Sequence, residues 1–312
     1  MGPLVIKKQA FKFLLEPNKN HINEFLFFAG SCRFVYNKGL ALINENYDSG
    51  GKFLNYNQLA SELVNWKNEE CLAWLKIAPS QCLQQSLRDL DKAFKNFFSG
   101  KSQYPRLKKK GRNDSFRVPC QRVRLDQEKH LVSLPKLGWV KYRKSREITG
   151  VLKNVTISRK LDKWYISFNT EAVVPEPVHP SFSKAKILLN NECIVQITSN
   201  ESLVEQFTSM EGNKKLRNLN NTLGRKVKNS SNWLKTKKKI DSIKARSSRR
   251  RLDALHKVTT AICKKHAIVE LVNLTDSVPD KSNGFVGMGY EFVRQLMYKQ
   301  EWLGGQVIRL GD

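Results

Sequence analysis

Apolar and basic residues alternate along Val5-Ile6-Lys7-Lys8-Gln9-Ala10-Phe11-Lys12-Phe13, a period of two that predicts a strand over residues 1–15, ended by Pro17. The period then lengthens. A helical region runs to about Gly100, and its clearest helix spans Ser80 to Phe98, where Leu83, Leu87, Leu90, Phe94 and Phe97 recur at four, three, four and three residues. Ser80 after Pro79 is the expected N-cap and Gly100 the expected stop. That stripe is core, which leaves the polar face with Ser80, Gln81, Gln84 and Gln85 open for another task. Short β segments fill 115 to 175: Leu134 to Trp139, then Val151 to Ser158 and Lys163 to Thr170, paired as a hairpin across Arg159 to Asp162.

Pro175, Pro177 and Pro180 interrupt regular structure and mark a domain boundary. Beyond them, Ala185 to Leu189 and Cys193 to Thr198 read as two strands joined at Asn190-Asn191-Glu192. Stripes at Leu216, Leu219, Leu223 and Val227, and at Leu252, Leu255, Val258 and Ile262, with a turn at Asn229 to Asn232, predict a long helical hairpin. A buried strand His266 to Leu274, a helix from about Tyr290 to Trp302 and a strand Gln306 to Leu310 complete an α/β layout.

Composition changes the picture through charge. Among 312 residues there are 55 Lys and Arg against 28 Asp and Glu, a net +27. Neutralising phosphates releases condensed counterions, so such a chain favours polyanions, with nucleic acid foremost, over a small metabolite. Residues 214–251 hold 15 Lys and Arg and the single acid Asp241, about half of the excess. A charge run is ordinarily a solvated face, but this one, with Lys237-Lys238-Lys239 and Arg249-Arg250-Arg251, would repel itself without phosphate nearby. Lys101 to Arg112 adds six basic residues and no acid. The six cysteines never come within fewer than 11 residues of one another, which excludes Cys-x-x-Cys zinc or redox sites. They are expected to be buried small hydrophobes or inert thiols. No apolar run reaches the length of a membrane span, and a cytoplasmic, nucleoid-associated protein is expected.

Several stretches together resemble one family. Phe34-Val35-Tyr36-Asn37, the run Leu87 to Phe98, Tyr104-Pro105-Arg106-Leu107-Lys108-Lys109-Lys110, Leu134-Pro135-Lys136-Leu137-Gly138, and Gln295 to Lys299 with Trp302 closely resemble TnpB, the transposon-encoded RNA-guided DNA nucleases related to type V CRISPR effectors. The resemblance implies an α+β multidomain chain. Residues 1–15 and 113–180 would form a wedge β-barrel, 16–112 a helical recognition domain, and 181–312 a RuvC-like, RNase H-like α/β domain carrying the basic helical hairpin at about 214–265.

By the same resemblance the nuclease centre is degenerate. The family's first metal-binding Asp falls at Leu188 and its second acid at Val272, with Glu270 two residues earlier. The third acid and the zinc finger would lie past the last strand, where the sequence stops at Asp312. The expectation is no enzyme, no metal and no cofactor other than a guide RNA. Such a chain resembles nuclease-dead TnpB-derived repressors, which bind guide RNA and duplex target DNA as an R-loop, one protein per guide. Readers of the short adjacent DNA motif would be Tyr56, Ser80, Gln81, Gln84, Gln121 and Arg122, since Gln pairs with adenine, Arg with guanine and Ser with either. RNA and heteroduplex contacts would be Lys108, Lys109, Lys110, Arg117, Lys237, Lys238, Arg249, Arg250 and Arg251. The alternatives are a residual metal-dependent nuclease using Glu192 and Glu270, or a protein that binds and stabilises guide RNA without targeting DNA.

Overall fold

The structure, a computed structural model, describes residues 3–189, 194–198, 205–206, 214–273 and 286–310. The chain divides into two compact units, Ile6–Val173 and a second comprising Met1–Val5 with Val174–Asp312.

In the first unit the alternating segment forms β1 (Leu4–Glu16), whose inward positions Phe11, Phe13 and Leu15 are buried. Three helices follow: α1 (Lys19–Asp48), α2 (Tyr56–Asn68) and α3 (Ser80–Phe98), with a 3-10 helix at Glu70–Lys76. Asn18 caps α1 by accepting from the His21 amide, and Asn55 with Gln58 forms a capping box on α2. Ser80 is not the N-cap of α3. Pro79 occupies that position, its carbonyl accepting from Cys82, and Ser80 is the first helical residue, its hydroxyl turned to Lys67. Leu83, Leu87, Leu90 and Phe94 are buried as the stripe requires, and Gly100 ends the helix with φ +68°. The α1–α3 approach depends on Gly39, where a Cβ would meet Leu87 and Leu90 side-chain carbons at 3.1 Å.

The remaining strands of this unit are β2 (Ser115–Pro119), β3 (Arg124–Asp126), β4 (Leu131–Leu134), β5 (Gly138–Arg143), β6 (Val151–Lys160) and β7 (Lys163–Pro175). With β1 they form one sheet in the order β2-β6-β7-β1-β5-β4-β3, an open, curled half-barrel. The expected β segment Leu134 to Trp139 is not one strand: Leu134 ends β4, Gly138 and Trp139 open β5, and residues 135–137 turn between them. Lys136 adopts φ +65° there and reverses the chain between β4 and β5. Helices and sheet share one core: Phe25 meets Trp164 edge-on at 5.1 Å and Phe116 at 5.9 Å, while Phe13, Tyr142 and Phe168 pack together.

In the second unit β8 (Lys184–Leu189), β9 (Ile194–Thr198), β10 (Glu205–Gln206), β11 (Ile268–Asn273) and β12 (Gln306–Leu310) form a sheet in the order β10-β9-β8-β11-β12. β8, β11 and β12 run parallel, and β9 and β10 complete an antiparallel edge. The helices are α4 (Lys214–Gly224), α5 (Ser231–Lys265) and α6 (Val286–Leu303). Ala185, Ile187, Leu255, Ile262, Val269, Leu271, Phe292 and Leu296 build its core. The expected stripes are shorter in fact. Val227 lies exposed in the turn between α4 and α5, and Leu252 is exposed on α5, because the sheet meets that helix only from Leu255 onward. The turn ends earlier than Asn232: Ser230 caps α5 by accepting from the Trp233 amide. Glu192 and Cys193 lie outside the described residues. Of the other cysteines, Cys32, Cys82 and Cys263 are buried and Cys71 is exposed, all as free thiols. Among the described residues no helix is long and apolar enough to cross a membrane.

Candidate nucleic-acid interface

The polar stripe of α3 gathers the expected motif readers. Gln81, Gln84 and Arg88 follow one another at three and four residues, so they share a face. Gln81 Nε2 donates to Gln121 Oε1 at 2.9 Å, which brings the 3-10 turn Cys120–Arg122 and its exposed Arg122 beside the start of α3. Tyr56, at the first turn of α2, lies under the Arg88 guanidinium at 4.4 Å from the ring centre. Lys67 Nζ donates to the Ser80 hydroxyl at 2.9 Å, and Lys136 Nζ donates to the carbonyls of Lys76 and Ile77. Burial lowers the Lys67 pKa, and the neighbouring Lys136 charge lowers it further. Two ammonium groups thus stand by a helix start that has no acid in its first turn, where the helix dipole is also positive. Amides able to read base edges lie beside cations able to hold a phosphate.

Lys67, Arg88 and Lys136 are absent from the sequence-based set. The signal that could have found Arg88 is its spacing from Gln84. Lys67 and Lys136 come from other elements, and only the packing of α2, α3 and the β4–β5 turn brings them in.

The expected RNA contacts on this unit divide in two. Lys109 and Lys110 are exposed. Lys108 keeps an open flank but sets its ammonium 3.9 Å from the centre of the Tyr36 ring. Burial there lowers its pKa, against the opposing pull of Asp89. Arg117 forms an ion pair with Asp89 at 3.0 Å, so part of its charge is already met.

On the other unit, α5 is 35 residues long and buries Thr236 and Ile240, then nothing before Leu255. The intervening stretch carries Arg246, Arg249, Arg250 and Arg251, with Arg249 and Arg250 exposed. Lys237 lies over the Trp233 ring at 4.8 Å, and Lys238 is exposed beside it. Lys226 Nζ donates to Thr236 Oγ1 at 2.6 Å and locks the turn to α5. The result is a helical arm, basic along its exposed length, suited to phosphate and not to base reading.

In the sheet of the same unit, Leu188 of β8 stands in register with Val272 of β11, and Lys186 with Glu270. Glu270 is half-buried and shares with Val272 the face opposite buried Val269 and Leu271.

Residues 4–52, here β1 and α1, match the model described as a helix-turn-helix domain of IS605 OrfB proteins, and residues 205–277 match their "Probable transposase" model. The chain is 46% identical over 321 residues to the "Putative RNA-guided DNA endonuclease InsQ" of Escherichia coli K12, with 96% of this chain and 79% of that protein aligned. A "Putative RNA-guided DNA endonuclease" of Streptomyces pristinaespiralis is 27% identical over 310 residues, covering 96% and 77%. A cryo-EM structure of a Cas12f1-sgRNA-target DNA complex superposes with a TM-score of 0.51 at 13% identity, covering 93% of this chain and 72% of that one, a likeness of fold.

Proposed function

Because this chain belongs to the TnpB family of RNA-guided DNA endonucleases, the IS605 OrfB group, we propose that it acts as an RNA-guided, sequence-specific DNA-binding protein that does not cut and that represses transcription by forming an R-loop at a promoter beside a short adjacent motif. The observation that carries this reading is the pairing of Leu188 with Val272 across the parallel ladder of β8 and β11. The resemblance puts the first two metal-holding carboxylates of the family at these two positions. Hydrolysis by two Mg²⁺ ions needs oxygen ligands that neutralise both attacking and leaving oxygens, and Leu and Val offer none. The residues at these positions therefore do not fit the ions.

Guide RNA and duplex target DNA are the partners of this reading, one protein serving one guide at the nucleoid with no metal required. Sequence specificity lies in base pairing between guide and target strand, while the protein holds the backbone and reads the motif. Support comes from the basic arm, from the amide and cation cluster at the start of α3, and from a fold like that of an effector whose structure contains guide RNA and target DNA. A residual metal-dependent nuclease is the alternative favoured by the relatives' names, and Glu270 is its remaining described carboxylate near these positions. In register with Lys186, it would be one ligand in place of a cage.

Sequencing the RNA that copurifies with the protein supplies the guide. With it, the protein should bind guide-matched, motif-flanked duplex and lower a reporter placed under that promoter, leaving the DNA whole in Mg²⁺ or Mn²⁺. Strand breaks that vanish with EDTA would establish the nuclease. RNA binding without any DNA binding would leave only a stabiliser of guide RNA.

A further inference from the structure

The segment from Gln103 to Asp114 is basic and has no regular secondary structure, yet it is tied to one stripe of α1 at three points. Tyr104 Oη donates to Asn44 Oδ1 at 2.5 Å, and its ring meets Phe94 and Phe97 edge-on. Asn37 holds Lys108 by the backbone from both sides, accepting from its amide and donating to its carbonyl, each at 2.9 Å. Arg33 donates to the buried Asp114 carboxylate at 2.9 Å, and the same carboxylate accepts from the Gly111 amide. Arg33, Asn37 and Asn44 are four and seven residues apart and so lie on one face of the helix. The segment therefore runs antiparallel to α1, with Pro105 buried beneath it.

Along this segment Arg106, Lys108, Lys109, Lys110 and Arg112 are all exposed, and Lys108 differs in setting its ammonium 3.9 Å from the centre of the Tyr36 ring. The ties are backbone hydrogen bonds, an aromatic edge contact and an ion pair, and none of them uses the other four cations. We propose that residues 103–114 form a rail docked on α1 before any ligand arrives, which presents Arg106, Lys109, Lys110 and Arg112 to the phosphates of RNA while Lys108, with Tyr36 and Asn37, is a positioning residue. The assignment rests on the guide-RNA reading above and narrows the expected contact set by moving Lys108 out of it. A loop ordered in advance pays its entropy cost on folding instead of on binding, so the rail raises affinity without adding a charge.

The test uses the full chain stripped of nucleic acid and a labelled single-stranded polyuridine, with the association constant followed against KCl concentration. Lys109→Gln and Lys110→Gln should each reduce the log–log slope by about 0.7. Lys108→Gln should leave the slope unchanged, and Asn37→Ala should lower affinity roughly threefold to tenfold at an unchanged slope, since it removes order and no charge. In the unaltered protein, hydrogen exchange should show the Lys108 and Gly111 amides protected without RNA. A slope loss for Lys108→Gln equal to that for Lys109→Gln, or rapid exchange at both amides, overturns the rail while the guide-RNA reading stands. If the parent protein does not bind polyuridine at all, the guide-RNA reading falls and the rail with it.

Discussion

Gln81 on α3 and Gln121 on the turn after β2 share a hydrogen bond of 2.9 Å across 40 residues of sequence. The bond leaves Gln81 Oε1 to accept and Gln121 Nε2 to donate, the pair of functions that the edge of an adenine complements. Gln84 is exposed one helical turn along the same face.

Gln84→Ala should weaken binding at motif-bearing targets by about 1–3 kcal/mol if the amide makes a bidentate base contact. RNA affinity should stay as it is, since the residue carries no charge and is not one of the cations of the basic loop or arm. Titration across a library of randomised flanking sequences checks this. An unchanged preference would remove Gln84 from the readers.

Reversing charge on the arm tests the other surface. Arg249→Glu with Arg250→Glu should lower RNA affinity and flatten its salt dependence, by roughly 0.7–0.9 in the log–log slope for each lost phosphate contact. Both residues are exposed on a stretch of α5 without buried positions, so the thermal midpoint should hold. A falling midpoint with intact RNA affinity would make the arm structural.

Asp114→Ala should destabilise the first unit by about 3 kcal/mol. It leaves Arg33 half-buried without its carboxylate and the Gly111 amide without an acceptor. Urea unfolding followed by Trp164 fluorescence reads the loss, because that residue sits in the shared core. A change below about 1 kcal/mol would mean the pair contributes no more than an exposed one.

Acid should loosen the packing of α5 on α6. Burial first, then the Lys299 charge, lowers the pKa of His256, and the hydrogen bond from Arg294 is the main cause that lowers that of Glu291. For both, the folded state binds fewer protons than the unfolded state, so stability falls as pH falls. The His256 contribution begins to disappear below about pH 6.5 and that of Glu291 below about pH 4.5, their ordinary values. His256→Gln should flatten the upper part of the melting profile and leave the lower part. A parent and variant with parallel profiles between pH 7 and 5 would sink this account.

Much of the architecture was legible because it is periodic. The Ser80–Phe98 stripe, the β6–β7 hairpin and the basic helical hairpin all appear where spacing and turn residues put them. Val227 and Leu252 continue apolar stripes in sequence, yet Val227 falls in the turn before α5 and Leu252 on a stretch of α5 that buries nothing between Ile240 and Leu255, so both stay exposed. Lys136 reads as part of a strand until its positive φ reverses the chain between two.

The chain on its own carried the excess positive charge, its concentration in residues 214–251, the absence of paired cysteines, and aliphatic residues where the family resemblance implies carboxylates. These are properties of residue type and local order, and no folding is needed to see them. Folding decided which groups meet. It placed Lys67 and Lys136 beside Ser80, joined Gln81 to Gln121, turned Lys108 onto Tyr36 and paired Arg117 with Asp89. It also set Leu188 beside Val272 from strands more than eighty residues apart. Each of these relationships joins elements distant in sequence, and local spacing cannot encode them. They arise when a shared core and a ladder register bring separate faces together, which is why charge could be counted in advance but its division between ligand and scaffold could not.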